Sequence, residues 1–303
     1  WIVRRDRVHP SVVIWSVGNE VLERSEPFAA ETTRKMHDFV DSLDGTRPVT
    51  QALCFWGEEK WEDQVAMAAN LDIVGYNYLE NLTESDHARF PNRVIAYTET
   101  YPKDAAMVWM RIVKHPYVIG EFVWTGIDYL GETGIGRNFY ADREQKGEHW
   151  ENIPQFPWHG AYCGDIDLTG YRKPISHYRE TLWNESARTY LAVREPDGWK
   201  GRIATSQWSV WPTHDHWTFP GWEGRKVTAE VYSRRPKVEL YLNGKLVGSK
   251  NVSDETAWKA EFELDYAPGE LRAVGIAADG TKEECVLRTA GEPKEVRLAE
   301  ETI

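Results

Sequence analysis

Two glutamates stand where strand-like apolar runs stop. Ile14-Trp15-Ser16-Val17-Gly18-Asn19-Glu20 ends on an amide and an acid, and Arg93-Val94-Ile95-Ala96-Tyr97-Thr98-Glu99 ends on a second acid. Where parallel strands alternate with helices and close into a barrel, side chains at the C-terminal strand ends converge on one face, which makes Glu20 and Glu99 candidates for a single site. Two carboxyls about 5–5.5 Å apart can divide the cleavage of a glycosidic bond, one protonating the leaving oxygen while the other attacks the anomeric carbon. Burial and its partner's charge would raise the acid, and hydrogen bonds would keep the nucleophile ionised. Tyr78, closing the strand just before that of Glu99, is placed to supply one such bond. A strand followed by a charged loop explains Glu20 alone; it does not explain a second acid at a second strand end.

The elements that must hold these residues alternate along the first 186 positions. The pattern predicts strands over 11–17, 47–52, 71–78, 93–98 and 117–124, with helices over 28–43, 57–69 and 102–114 between them and a last helix over 174–184. Strands separated by helices of about 10–15 residues make βαβ units and a parallel sheet. Five strands are visible, not eight. A long irregular stretch, 131–171, is rich in Gly, Pro and aromatic residues, and loops of that length inside a compact domain are usually functional. From about residue 187 the period changes to two, over 226–233, 237–242, 258–264 and 269–276. Asn243-Gly244 and Ala278-Asp279-Gly280 are hairpin turns, and the segment predicts a β-sandwich.

Composition narrows the partners. The 303 residues are 41% hydrophobic and 28% charged, enough for a sizeable core and about two domains. No run of about 18 apolar residues suggests a membrane span, and the net charge of −12 argues against nucleic acid or an anionic lipid surface. Cys54, Cys163 and Cys285 are far apart and odd in number, with no metal-site or disulfide spacing, so they read as buried small hydrophobes. The 15 Trp and 14 Tyr hint at stacking on sugar rings, although aromatic residues also fill cores. Trp1 opens directly into the end of a helix, which suggests a piece of a longer polypeptide. Any export signal would then lie upstream; the compartment is unread, with periplasmic or secreted slightly favoured over cytoplasmic.

The residues as they stand resemble glycoside hydrolase family 2, the group of β-galactosidases, β-glucuronidases and β-mannosidases. Arg5-Asp6-Arg7, His9-Pro10-Ser11-Val12 and the run to Asn19-Glu20 are similar to its acid/base signature, departing at Val8, where the family usually has Asn. The resemblance implies Glu20 as general acid/base and Asn19 as the hydrogen-bond partner of the sugar's 2-hydroxyl. Asp72-Ile73-Val74-Gly75-Tyr76-Asn77-Tyr78 resembles the sixth barrel strand, whose closing Tyr78 orients the nucleophile. Tyr97-Thr98-Glu99-Thr100 resembles the nucleophile element with Thr98 in place of Ser. The run from Gly120 to Glu132 resembles the eighth strand and its exit loop, implying Trp124 as the platform under the sugar.

Several residues have rival readings. Glu121 is a second candidate nucleophile, but alternation sets it on the opposite strand face from Trp124. Asp128 and Glu132 suit either sugar contacts or a solvated loop. Asp165, Asp167, Tyr171 and Lys173 resemble a structural family loop, and His9 lies at the entry end of its strand. His214 and His216 with Trp208, Trp211, Trp217 and Trp222 imitate a metal or sugar site, but a packed aromatic edge of the sandwich is the expected role.

The expected architecture is therefore the C-terminal portion of a (β/α)8 TIM-type barrel, strands 4 to 8, over residues 1–188, followed by an immunoglobulin-like sandwich over 189–303. Such a partial barrel has two open edges, so its partner is expected to be the missing N-terminal part of the same protein or a second copy, and the isolated polypeptide should show little activity. The expected activity is that of a retaining exo-β-glycosidase on terminal β-D-galactosides, with β-glucuronidase or another family 2 β-glycosidase as the alternative. The absence of a clear Asn-x-Lys element weighs against glucuronides, and a non-catalytic carbohydrate-binding fragment is the alternative of another class. No organic cofactor is expected. The resemblance allows a Mg or Na ion, but no ligand motif supports one.

Overall fold

The computed structural model describes residues 1–142 and 159–295, and the chain forms two compact units. The first comprises Trp1–Gly136, His159–Gly164 and Gln207–Ser209. It runs α1 (Ile2–Asp6), β1 (Trp15–Asn19), α2 (Ala29–Leu43), β2 (Val49–Leu53), α3 (Val65–Ala68), β3 (Ile73–Asn77), α4 (Thr83–Arg89), β4 (Val94–Thr100), α5 (Ala105–Lys114) and β5 (Val118–Val123). The five strands form one parallel sheet in sequence order, as the alternation implies.

Every residue of β2 and β3 is buried, including the polar Thr50, Gln51 and Asn77. The core joins Leu53, Val74, Tyr76, Ile95 and Tyr97 of the strands to Met67, Ala68 and Val108 of the helices. Two buried carboxylates there are held by several donors. Asp86 accepts from Trp61 Nε1 at 2.9 Å, from the Tyr76 hydroxyl and from Arg93, and Asp44 accepts from Trp15 Nε1 at 2.9 Å and from Arg47 at 2.6 Å.

Two elements differ from the sequence reading. The first strand starts at Trp15 rather than residue 11, because residues 9–12 turn instead: the carbonyls of His9 and Val12 accept from the Arg47 guanidinium at 3.3 and 2.6 Å. The helix expected over 57–69 shrinks to a 3-10 turn, Trp61–Gln64, running into α3. The connection to residue 92 holds α4. Beyond β5, β6 (Tyr129–Leu130) pairs antiparallel with β8 (Gly160–Ala161), so part of the expected irregular stretch is ordered; its residues 143–158 lie outside those described.

The second unit contains β7 (Asn138–Tyr140), α6 (Pro174–Trp183), β9 (Tyr190–Arg194), β10 (Ile203–Thr205), β11 (Thr213–His214), β12 (Lys226–Tyr232), β13 (Lys237–Leu242), β14 (Lys245–Asn251), β15 (Lys259–Asp265), β16 (Glu270–Ile276) and β17 (Lys282–Arg288). Two four-stranded antiparallel sheets, β11-β9-β12-β15 and β14-β13-β16-β17, contribute Leu191, Val193, Val231, Phe262, Leu240 and Leu271 to one core, with Trp217 and Phe219 fully buried among them. Asn243 and Gly244 turn between β13 and β14 with φ of 49° and 77°, the paired left-handed conformation that Asn-Gly favours in a two-residue hairpin. Tyr178 of α6 packs 4.7 Å from Tyr232 and donates to the Ala257 carbonyl at 3.0 Å, which draws this helix to the sandwich.

Candidate active site

Parallel register brings three strand ends level. Asn19 pairs with Ala52 across β1 and β2, and Asn77 pairs with Glu99 across β3 and β4. The backbone turns sharply there: Glu20 and Tyr78 adopt φ of 46° and 57°, left-handed values rare for residues with a Cβ, held by Glu20 N donating to the Ala52 carbonyl at 3.0 Å and Tyr78 N donating to the Glu99 carbonyl at 2.9 Å.

The side chains then meet in one network. The Tyr78 hydroxyl donates to Glu99 Oε2 at 2.8 Å. Asn77, fully buried, donates through Nδ2 to Glu20 Oε1 at 2.9 Å and to Asn19 Oδ1 at 3.0 Å, and its Oδ1 accepts from the Thr98 hydroxyl at 2.6 Å. The amides of Asn19 and Asn77 also act to lower Glu99, and it feels the charge of Glu20. Burial, first, and the Glu20 charge push Glu99 up to about 7 against those lowering hydrogen bonds. The raised carboxyl is thus the one expected to act as nucleophile. The cause is position, since β4 lies between two strands while β1 is a sheet edge. Burial and the neighbouring Glu99 raise Tyr78, which keeps it a neutral donor. Cys54, fully buried, is pushed up to about 12 by burial and then by the charge of Glu20, and remains a thiol.

Two carboxyls, a phenol and two amides gathered at the ends of parallel strands are the equipment for acid-assisted nucleophilic displacement. Residues 1–151 match the family model described as "Glycosyl hydrolases family 2, TIM barrel domain". The chain belongs to glycosyl hydrolase family 2. A family 2 member from Bacteroides cellulosilyticus, of known structure, is 36% identical with a TM-score of 0.81 over 97% of this chain and 37% of its own. A β-galactosidase of Bacteroides ovatus is 25% identical over 98% of this chain and 38% of its own, and a β-glucuronidase of Formosa agariphila is 24% identical over 96% and 27%. The chain therefore spans well under half the length of these family 2 relatives. Residues 224–283 match a domain of unknown function.

Sequence reasoning missed part of this network. Trp208, read as an aromatic edge of the sandwich, instead donates through Nε1 to the Tyr78 hydroxyl oxygen at 2.9 Å and sits edge-on to Tyr78 and Tyr101, whose rings stack 4.3 Å apart. Gln207 donates to the Tyr101 hydroxyl. A contact across 130 residues leaves no local trace in the sequence. Asn77 was legible only as part of the strand motif.

Other expected residues make contacts of their own. Trp124 follows β5, half-buried, with its backbone N donating to Thr100 O at 3.0 Å and its ring edge-on to Tyr129 at 6.0 Å. Asp128 is not on a solvated loop: it is 5% exposed and accepts from Gly164 N at 2.8 Å, an approach so close that a Cβ on Gly164 would lie 2.1 Å from Asp128 N. Glu132 accepts from the Tyr129 hydroxyl, and the rival Glu121 accepts from Thr100 Oγ1 at 2.9 Å. In the sandwich unit, Asp165 pairs with Arg179 at 2.6 Å and Asp167 caps its own loop through Thr169 and Tyr171. His214 and His216 stack 4.7 Å apart, with His214 on Glu195 at 2.9 Å. Among the described residues, no group of three or more His, Cys, Asp or Glu side chains could hold a metal ion.

Proposed function

We propose that this chain carries the catalytic pair of a retaining exo-β-glycosidase, with β1 to β5 as strands 4 to 8 of the barrel and residues 1–188 and 189–303 as barrel portion and immunoglobulin-like domain. The observation that supports it is the network joining Glu20 and Glu99 through Asn19 and Asn77, with Tyr78 donating to Glu99. Glu20, at an open strand edge, protonates the leaving oxygen. Glu99 attacks the anomeric carbon, and the Tyr78 hydrogen bond favours its ionised form. Glu20 then takes a proton from the water that hydrolyses the glycosyl-enzyme ester. Asn19 holds the 2-hydroxyl, Trp124 forms the apolar floor, and Asp128 holds the exit loop that sets the floor's position.

The sugar proposed is terminal β-D-galactose, as in the name of the Bacteroides ovatus relative; a glucuronide is the second reading, since β-glucuronidases of similar identity match as well. A panel of nitrophenyl β-glycosides on the full-length protein tests this. Turnover of the galactoside, lost in Glu99→Gln, and a covalent 2-fluorogalactosyl adduct on Glu99 by mass spectrometry are expected. Glucuronide turnover alone would reassign the sugar, and glycan binding without turnover of any member would leave only the binding-fragment reading.

A further inference from the structure

Glu20 Oε1 and Asn19 Oδ1 both act as acceptors toward Asn77, so the Asn77 carboxamide must turn its NH2 to them and its oxygen to Thr98. With Asn19 Oδ1 turned to the Asn77 amide, the NH2 of Asn19 points away from Asn77, the orientation in which it can lower Glu99. The chain of donors runs one way: the Thr98 hydroxyl to the Asn77 oxygen, the Asn77 amide to Asn19 and Glu20, the Asn19 amide to Glu99. It begins at the one position of the nucleophile element where this sequence has Thr in place of the Ser seen in the resemblance. Thr is β-branched and stiff at χ1, and its rotamer is held by Gly75 on the neighbouring strand. A Cβ at Gly75 would lie 2.8 Å from Thr98 Cγ2 and 2.9 Å from Oγ1, so both branches of Thr98 occupy the space that glycine leaves.

We propose that Thr98, seated on Gly75, is a positioning residue that sets the polarity of the Asn77 and Asn19 amides and so presents Asn19 to the nucleophile and substrate as a hydrogen-bond donor. The proposal rests on the glycosidase reading above. Among the described residues, the groups that bear on Glu99 are Glu20, Asn19, Asn77 and Tyr78, with Trp208 on the far side of the Tyr78 oxygen. Among these only Glu20 carries a charge that the amides could confront if they turned over.

The experiment compares Thr98→Val, Thr98→Ser and Glu99→Gln with the wild-type full-length protein, measuring kcat and KM against pH on the best nitrophenyl glycoside and following the Glu99 carboxyl by ¹³C NMR. Val keeps the shape and removes the donor. It is expected to lower kcat about 10–100-fold, as when a buried acceptor loses its partner, with little change in KM. It should also move both the acidic limb and the Glu99 titration to higher pH, as the amides turn over and withdraw their donors. Ser should stay within a few-fold of wild type with its titration unmoved. Equal losses in Val and Ser would reduce Thr98 to packing and overturn the proposal, as would an unmoved Glu99 titration in Val. An inert wild type or an active Glu99→Gln would instead fail the glycosidase reading, while the NMR titration would still decide the polarity.

Discussion

The Tyr78 hydroxyl donates to Glu99 Oε2 over 2.8 Å, and the direction of that bond is set from behind, because the same oxygen accepts from Trp208 Nε1 at 2.9 Å. A donor aimed at a carboxylate favours its ionised form. Tyr78→Phe removes it and leaves the burial that raises Glu99 unopposed at that oxygen. The expected result is a drop in kcat of about 10–100-fold, corresponding to the roughly 1.5–3 kcal/mol of a hydrogen bond to a charged group. The acidic limb of the pH–rate profile should also move upward, because Glu99 must lose its proton to attack. Steady-state kinetics from pH 5 to 9 check both; an unmoved acidic limb would break the link between Tyr78 and the ionisation of Glu99.

The raised Glu99 has a consequence for stability whose sign is definite. Its folded value of about 7 lies above the ordinary 4.5, so between those values the unfolded chain is ionised while the folded one holds its proton. The folded state loses stability as pH rises through that window and carries the full penalty above about 7. Glu99→Gln lifts the penalty. Its melting temperature should exceed that of wild type by several degrees at pH 8, with the gain shrinking to nothing near pH 4.5. A gain of the same size at both ends would mean that burial of the charge is not its source.

Trp208 separates packing from hydrogen bonding. Trp208→Phe retains a ring against Tyr78 and Tyr101 but loses the N–H that engages the Tyr78 oxygen. A net loss of about 0.5–1.5 kcal/mol, or roughly 2- to 12-fold in kcat, is expected with the melting temperature nearly unchanged. Trp208→Ala should lower both. If Phe proves fully active, the indole only fills space.

Strand-end chemistry was legible because it is local. Glu20, Glu99 and Tyr78 are each announced by an apolar run that stops, and the parallel sheet that brings them together follows from strands alternating with helices. Trp208 was not legible, since its partner is 130 residues away and its own neighbourhood reads as loop. Asp128 was misread as potentially solvated because nothing local shows that Gly164 will close against it. Within the sandwich, β14 went unread because it has no period-two alternation: six of its seven residues are exposed, Leu246 and Val247 among them. The raised Glu99 depends on the burial of its strand between two others, and that is a property of the assembled sheet.

The same edges yield the last prediction. β1 and β5 bound the parallel sheet, and near them Val13, Leu22, Ile119, Phe122 and Leu130 are between 51% and 86% exposed. Unpaired strand edges flanked by apolar side chains recruit other strands unless they are charged or covered. The 303-residue polypeptide on its own should therefore sediment as concentration-dependent oligomers, bind a hydrophobic dye, and turn over the best glycoside far more slowly than the full-length protein. Phe122→Lys, which puts a charge on the β5 edge, should reduce both association and dye binding. A monodisperse monomer at tens of micromolar with full activity would show that the five-stranded sheet closes its own edges in solution.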